Sequence, residues 1–277
     1  MSAAPDLLTT AARRWNLTAT GYHDVGHASL IATATTVEDE RVLLKAWPDA
    51  TRFRAETDAL CLWAGGPVVR LVAAAGDHCV AALAQVGCRP GGCRRPEDEA
   101  DVTALALHQV HSKGRSGTRL QDFESLDHYI DTDVRPRIGR RSHLAREHGY
   151  TAQLAIGGAA LRRAKQCPRR ATLLHADLYQ ENVLFDERAR PVFIDPLPMV
   201  GDAVFDWAFW IVYYTLGSGT RRRFDVAAHT SGISVHELRT WCLVLCLDGL
   251  LYYLDVDDPR APRIAEVLLL ISQEWGQ

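Results

Sequence analysis

The stretch LLHADLYQENVLFDERARPVFIDP, Leu173 to Pro196, restricts the folds open to this chain more than any other segment. NVLF and PVFI are short apolar runs joined by the polar turn DERAR, which reads as a β-hairpin. His175, Asp177 and Asn182 come before the first apolar run, and Asp195 comes directly after the second. A carboxylate beside a core strand is costly unless a cation or hydrogen-bond donors meet it. The rest of the chain must therefore supply partners at one end of this hairpin.

The texture of the chain changes once. Pro5 to Trp15 has the spacing of a short amphipathic helix carrying Leu7, Leu8, Ala11 and Trp15. HASLIATATTV and RVLLKAW read as strands around the turn EDE, RFRAETDALCLW as a helix, and VVRLVAA and CVAALAQV as two further strands. The Gly/Pro-rich stretch GCRPGGCRRPED then marks a boundary. Beyond it, EADVTALALHQVH is helical, and further helices are expected over 125–130, 150–165, 203–214, 235–254 and 260–274. The one clear β signal of this half is the hairpin. The expectation is an α+β chain: a small antiparallel β-rich lobe over 1–86, a linker over 87–96 and a larger helical lobe over 97–277.

Composition removes several classes of function. Basic and acidic residues nearly balance, 31 against 34, for a formal charge of -3, so nothing points to nucleic acid. The clusters Arg140–Arg141, Arg169–Arg170 and Arg221–Arg223 read as solvated helix ends. The opening MSAAPDLLTTAARRWNL lacks the pattern of a signal peptide, and WAFWIVYYTL is too short for a membrane span. The seven cysteines form no CxxC pair, so they are expected as reduced thiols in a cytoplasmic protein.

Chemistry enters at the hairpin ends. Asn182 begins one strand and Asp195 ends its partner, so an amide oxygen and a carboxylate can converge as a hard-oxygen site for Mg2+. Asp177, on the loop before, can accept a proton from an attacking hydroxyl. The order His-x-Asp-x-x-x-x-Asn, then Asp, matches the phosphoryl-transfer template of kinases. That template also needs a strand lysine for the nucleotide phosphates and a helical acid to hold it. VLLKAW offers Lys45, and RFRAETDAL offers Glu56, on the helix side shared with Leu60 and Trp63; Asp58 is the rival.

LLHADLYQENVLFDERARPVFIDPLPMVGDAVFDWAFW resembles the aminoglycoside phosphotransferase superfamily, most of all its streptomycin 6-phosphotransferase and hydroxyurea phosphotransferase branch. The resemblance extends more loosely through VLLKAW, ETDALCLWAGGPVVRLV and ALHQVHS. It implies a two-lobed protein-kinase-like fold with ATP, or another nucleoside triphosphate, bound between the lobes. It further implies Asp177 as catalytic base, Asn182 and Asp195 as Mg2+ ligands, and Lys45 with its partner Glu56 on the phosphates. Leu83 would lie beside adenine and the backbones of Ala84 and Val86 would meet it; His175 and Asp206 would brace the catalytic loop. The turn GHAS, Gly26 to Ser29, would cover the phosphates. Tyr179 stands where the branch usually has His, and Ala176 where it usually has Gly or Trp.

The resemblance implies a cationic antibiotic as acceptor, a streptomycin-type aminoglycoside first. The alternatives are a capreomycin/viomycin-type peptide, hydroxyurea or a small metabolite, and, from a different class, a non-catalytic kinase-like binding module. Intact Lys45, Asp177, Asn182 and Asp195 count against the module. A polycation needs carboxylates near the base; the helical half offers Asp202, Asp248, Asp255, Asp257 and Asp258, the first three as candidates. LLYYLDVDDP itself reads as a helix ending in a solvated acidic turn. Trp207, Trp210, Tyr213 and Tyr214 are expected mostly in the core, with one or two lining the pocket.

Overall fold

The computed structural model describes residues 4–25, 29–115, 120–164 and 170–273. Its first elements are α1 (Ala4–Arg14), β1 (Thr18–Val25), β2 (Leu30–Thr35), β3 (Arg41–Ala46), α2 (Ala50–Leu62), β4 (Leu71–Ala75), β5 (Val80–Ala84) and α3 (Glu99–Gly114). There follow β6 (Glu124–Ser125), α4 (Leu126–Tyr129), α5 (Arg135–Glu147), α6 (Thr151–Ala164) and β7 (Ala171–Leu174). The hairpin is β8 (Val183–Phe185) and β9 (Pro191–Phe193). After it come β10 (Met199–Asp202), α7 (Val204–Tyr213), α8 (Thr220–Thr230), α9 (Val235–Asp255) and α10 (Ala261–Ser272). Contacts divide the chain into two compact units, Met1–Gly117 with Glu181–Pro198, and Thr118–Gln180 with Met199–Gln277.

In the first unit an antiparallel sheet runs in the order β1-β2-β3-β5-β4. Side chains alternate across it with period two. Val42, Leu44, Val80 and Ala82 meet Leu8, Ala11 and Ala12 of α1, while Ala81 and Leu83 pack with Phe53 and Leu60 of α2. Asp49 starts α2 by accepting the Thr51 N–H at 2.7 Å, satisfying an amide that the helix itself leaves open.

The hairpin belongs to this unit as well. Val69 N–H donates to the Phe193 carbonyl (2.9 Å), Phe193 N–H to Pro67 (2.8 Å), and Cys93 N–H to Phe185 (2.8 Å). Arg95 Nη2 donates to the Val183 carbonyl at 3.0 Å. Gly92, at φ +75°, lets the backbones approach, because a Cβ there would lie 3.0 Å from the Phe185 oxygen. These bonds tie Val69, Cys93 and Arg95 to β8–β9 within the first compact unit.

The second unit is built on α9. Its apolar residues run all round the helix, which suits an element buried on every side, and α5, α6, α7 and α10 pack on it. Ser234 and Glu237 form a reciprocal capping box at its start. Sequence reading expected no β structure in this half beyond the hairpin, yet β6, β10 and β7 form a small sheet. Its strands are too short to alternate legibly, and β7 and β10 pair across 24 intervening residues with no turn to announce them.

Helices α5 and α8 also went unread. α5 buries only Ile138 and Ala145, and α8 only Phe224, Val226 and Ala227 beside Thr220 and Arg223, so neither carries a strong apolar stripe. Tertiary bonds compensate: Arg223 donates to the Trp210 and Ile211 carbonyls at the end of α7. Among the described residues no helix is long and apolar enough to cross a membrane, and Cys61, Cys79, Cys88, Cys93, Cys242 and Cys246 are free thiols. Of the GHAS turn, Gly26, His27 and Ala28 lie outside the described residues.

Candidate active site

Lys45 sits on β3, opposite Ala81 of β5, on the sheet face turned to α2. Its Nζ lies 2.8 and 3.0 Å from the two Glu56 carboxylate oxygens. Trp47 Nε1 donates to the same carboxylate at 2.9 Å, a partner that sequence reading did not find. Both ions are buried, Lys45 at 3% exposure and Glu56 at 0%. Burial pushes the Glu56 carboxyl above the ordinary carboxylate range; the Lys45 charge opposes this and the Asp195 charge adds to it. Asp58, the rival acid on α2, is exposed.

The end of the hairpin meets this pair. Register Val183–Phe193 places Asn182 beside Ile194, whose N–H donates to the Asn182 carbonyl at 3.0 Å. Asp195 follows at φ +54°, a left-handed conformation costing of order 1 kcal/mol for a non-glycine residue. That bend turns Asp195 Oδ1 to 2.9 Å from Lys45 Nζ. Its side chain keeps 34% exposure, whereas Asn182 is buried. One amide residue and one carboxylate stand at a common hairpin end, beside a buried cation; oxygen donors of these types are the kind that could hold Mg2+ with phosphate oxygens.

On β5 the Ala84 N–H goes to the Arg70 carbonyl and the Gln85 N–H to that of Arg41, both part of the sheet's own bonding. Leu83 is buried with the α2 cluster and Val86 stands at its margin, just past the strand.

The loop after β7 belongs to the second unit. His175 and Leu178 are buried while Asp177 and Tyr179 are half-buried. Asp206, fully buried in the first turn of α7, accepts the His175 N–H on Oδ2 and the Ala176 N–H on Oδ1, each at 2.8 Å. Ala176 takes φ +59° between these anchors. The His175 ring turns back on its own loop, Nδ1 lying 3.4 Å from the Asp177 N–H.

The three expected acceptor carboxylates are otherwise engaged. Asp202 is buried, and its oxygens accept the N–H groups of Arg170 (2.9 Å) and Val204 (3.0 Å). Asp248 Oδ1 accepts from Arg137 Nε at 2.8 Å, and Asp255 from Arg141 Nε at 2.9 Å. A cation reaching either must compete with an internal guanidinium. Sequence spacing could not show these pairs, because Arg137 and Asp248 are brought together only by the packing of α5 on α9.

An antiparallel sheet with a buried Lys–Glu pair, and an Asn/Asp hairpin end beside it, define the protein-kinase-like α+β class of phosphotransferases. Residues 14–251 match the family described as "Aminoglycoside/hydroxyurea antibiotic resistance kinase". The chain belongs to that family and is an antibiotic-inactivating phosphotransferase acting on a hydroxyl group. Streptomycin 6-kinase of Streptomyces griseus is 27% identical, covering 97% of this chain and 90% of that one. Hydroxyurea phosphotransferase of Kitasatospora aureofaciens is 26% identical over 92% and 76%. An aminoglycoside phosphotransferase solved as a ternary complex with ADP and hygromycin B superposes with TM-score 0.64 at 14% identity, covering 96% of this chain and 99% of that one.

Proposed function

We propose that this protein transfers the γ-phosphoryl group of a nucleoside triphosphate, ATP first, to a hydroxyl of a streptomycin-type aminoglycoside. The observation that carries the reading is the ion-pair chain Glu56–Lys45–Asp195 on a hairpin end that also bears Asn182. In it Lys45 holds the nucleotide phosphates and Glu56 keeps Lys45 in place, with Trp47 holding Glu56. Leu83 and the backbones of Ala84 and Val86 receive adenine. Asn182 and Asp195 hold Mg2+, which when bound neutralises charge on the phosphate oxygens.

Asp177 accepts or orients the proton of the attacking hydroxyl, while Asp206 and His175 keep its loop in shape. The similarity of streptomycin 6-kinases of Streptomyces griseus and Streptomyces glaucescens over 97% of this chain supports streptomycin as the acceptor in this reading.

The test is turnover by the purified protein with ATP and Mg2+ against streptomycin, hydroxyurea and capreomycin, the product read by mass spectrometry. Phosphorylated streptomycin is expected, and Asp177→Ala should lower its formation roughly 100- to 10,000-fold while nucleotide binding survives. Turnover within a few-fold of wild type in Asp177→Ala would remove the base. Transfer to hydroxyurea or capreomycin alone would replace the acceptor.

A further inference from the structure

We infer that Tyr179 is an acceptor-specificity residue, whose ring receives the saturated ring carrying the hydroxyl to be phosphorylated. The inference rests on the acceptor proposed above and adds a residue that reads it. Asp177 and Tyr179 flank Leu178, which is buried in the second unit, and both are left half-buried. They stand two positions apart on one loop segment, so their Cα atoms lie within about 7 Å of each other. Any acceptor that offers its hydroxyl to Asp177 therefore brings the neighbouring part of its skeleton past Tyr179.

The Tyr179 ring is also held in place. It stands edge-on to Phe209 at 5.1 Å between centroids and tilted to Tyr213 at 5.6 Å. Phe209 and Tyr213 in turn are 4.8 Å apart on α7. Tyr213 is fixed from behind, its hydroxyl donating to the Leu245 carbonyl of α9 at 2.8 Å. Only glycine at 249 leaves room for that hydroxyl, since a Cβ would lie 2.2 Å from it. Burial pushes the Tyr213 phenol far above its ordinary range, with Asp248 and Tyr179 adding to this, so it stays a neutral donor.

Two helices thus set the angle of one ring on the catalytic loop. A rigid aromatic face beside the base suits the C–H face of a polyhydroxylated ring, which gains contact area at little entropic cost. Hydroxyurea has no ring and would leave that face unused.

The experiment compares wild type with Tyr179→Phe, Tyr179→Ala and Tyr179→Leu, on streptomycin and on ATP. Wild-type turnover on streptomycin comes first, and its absence overturns the proposed acceptor rather than the role of Tyr179. Given turnover, Tyr179→Ala should raise the streptomycin KM about tenfold, equivalent to about 1.4 kcal/mol, with kcat within threefold and the ATP KM unchanged. Tyr179→Phe should restore the streptomycin KM to within twofold. Tyr179→Leu keeps apolar packing against Phe209, so it answers in place of an alanine variant that fails to fold. An unchanged streptomycin KM in Tyr179→Leu would overturn the inference. So would a parallel loss of ATP KM, streptomycin KM and thermal midpoint, which marks a merely structural ring.

Discussion

Removing the Asp206 carboxylate tests how the catalytic loop is held. The group is fully buried and accepts the His175 and Ala176 N–H groups, both at 2.8 Å. Hydrogen bonds to a charged acceptor are worth roughly 1.5–3 kcal/mol each, and water cannot take over at a buried site. Asp206→Ala strands two buried amides, and it does so where Ala176 already sits at φ +59°. The expected destabilisation is about 3–5 kcal/mol, below the simple sum because the loop can relax. Asp206→Asn keeps one acceptor oxygen and sets an NH2 group against the other N–H, so about 2 kcal/mol is expected.

For a chain of this size 1 kcal/mol moves the thermal midpoint by about 2 °C, so the two variants should fall by roughly 6–10 °C and 4 °C. Denaturation followed by circular dichroism reads the shift, and turnover on the same samples should fall in the same order. A midpoint for Asp206→Ala within about 1 °C of wild type, with turnover abolished, would refute the bracing argument and make Asp206 a participant in the chemistry.

Two further outcomes follow from the buried ions. Lys45→Met leaves Glu56 buried without its cation and should cost on the order of 3–5 kcal/mol at neutral pH. Because the folded Glu56 pKa is already raised, stability is lost as pH rises through that value; the variant should be more sensitive to a change from pH 5 to pH 8 than wild type. Equal denaturant midpoints at both pH values in Lys45→Met would contradict this. Asp195→Ala should weaken nucleotide binding by tenfold or more in the presence of Mg2+ and by less in its absence, measured by calorimetry. Affinity unchanged in both conditions would remove the metal role.

Much of the site was legible because its chemistry is carried by short spacings. The hairpin, with Asn182 and Asp195 at one end, needs only two apolar runs and a polar turn. Lys45 and Glu56 could be paired because the kinase template asks for a strand lysine and an acid on the following helix, and helical spacing puts Glu56 on the side of Leu60 and Trp63. Asp206 could be anticipated as a brace because a carboxylate in the first turn of a helix meets backbone N–H groups.

What the sequence could not disclose depends on residues that meet only in three dimensions. The β6-β10-β7 sheet joins strands too short to show a period, and α5 and α8 bury too little to show a stripe. The same holds for charge: Asp248 and Asp255 read as open carboxylates until the packing of α5 on α9 brings Arg137 and Arg141 onto them. Periodicity along a chain reports which face of an element is buried. Which partner that face finds is decided by tertiary packing, and here that packing is what gives Asp248 and Asp255 their arginine partners.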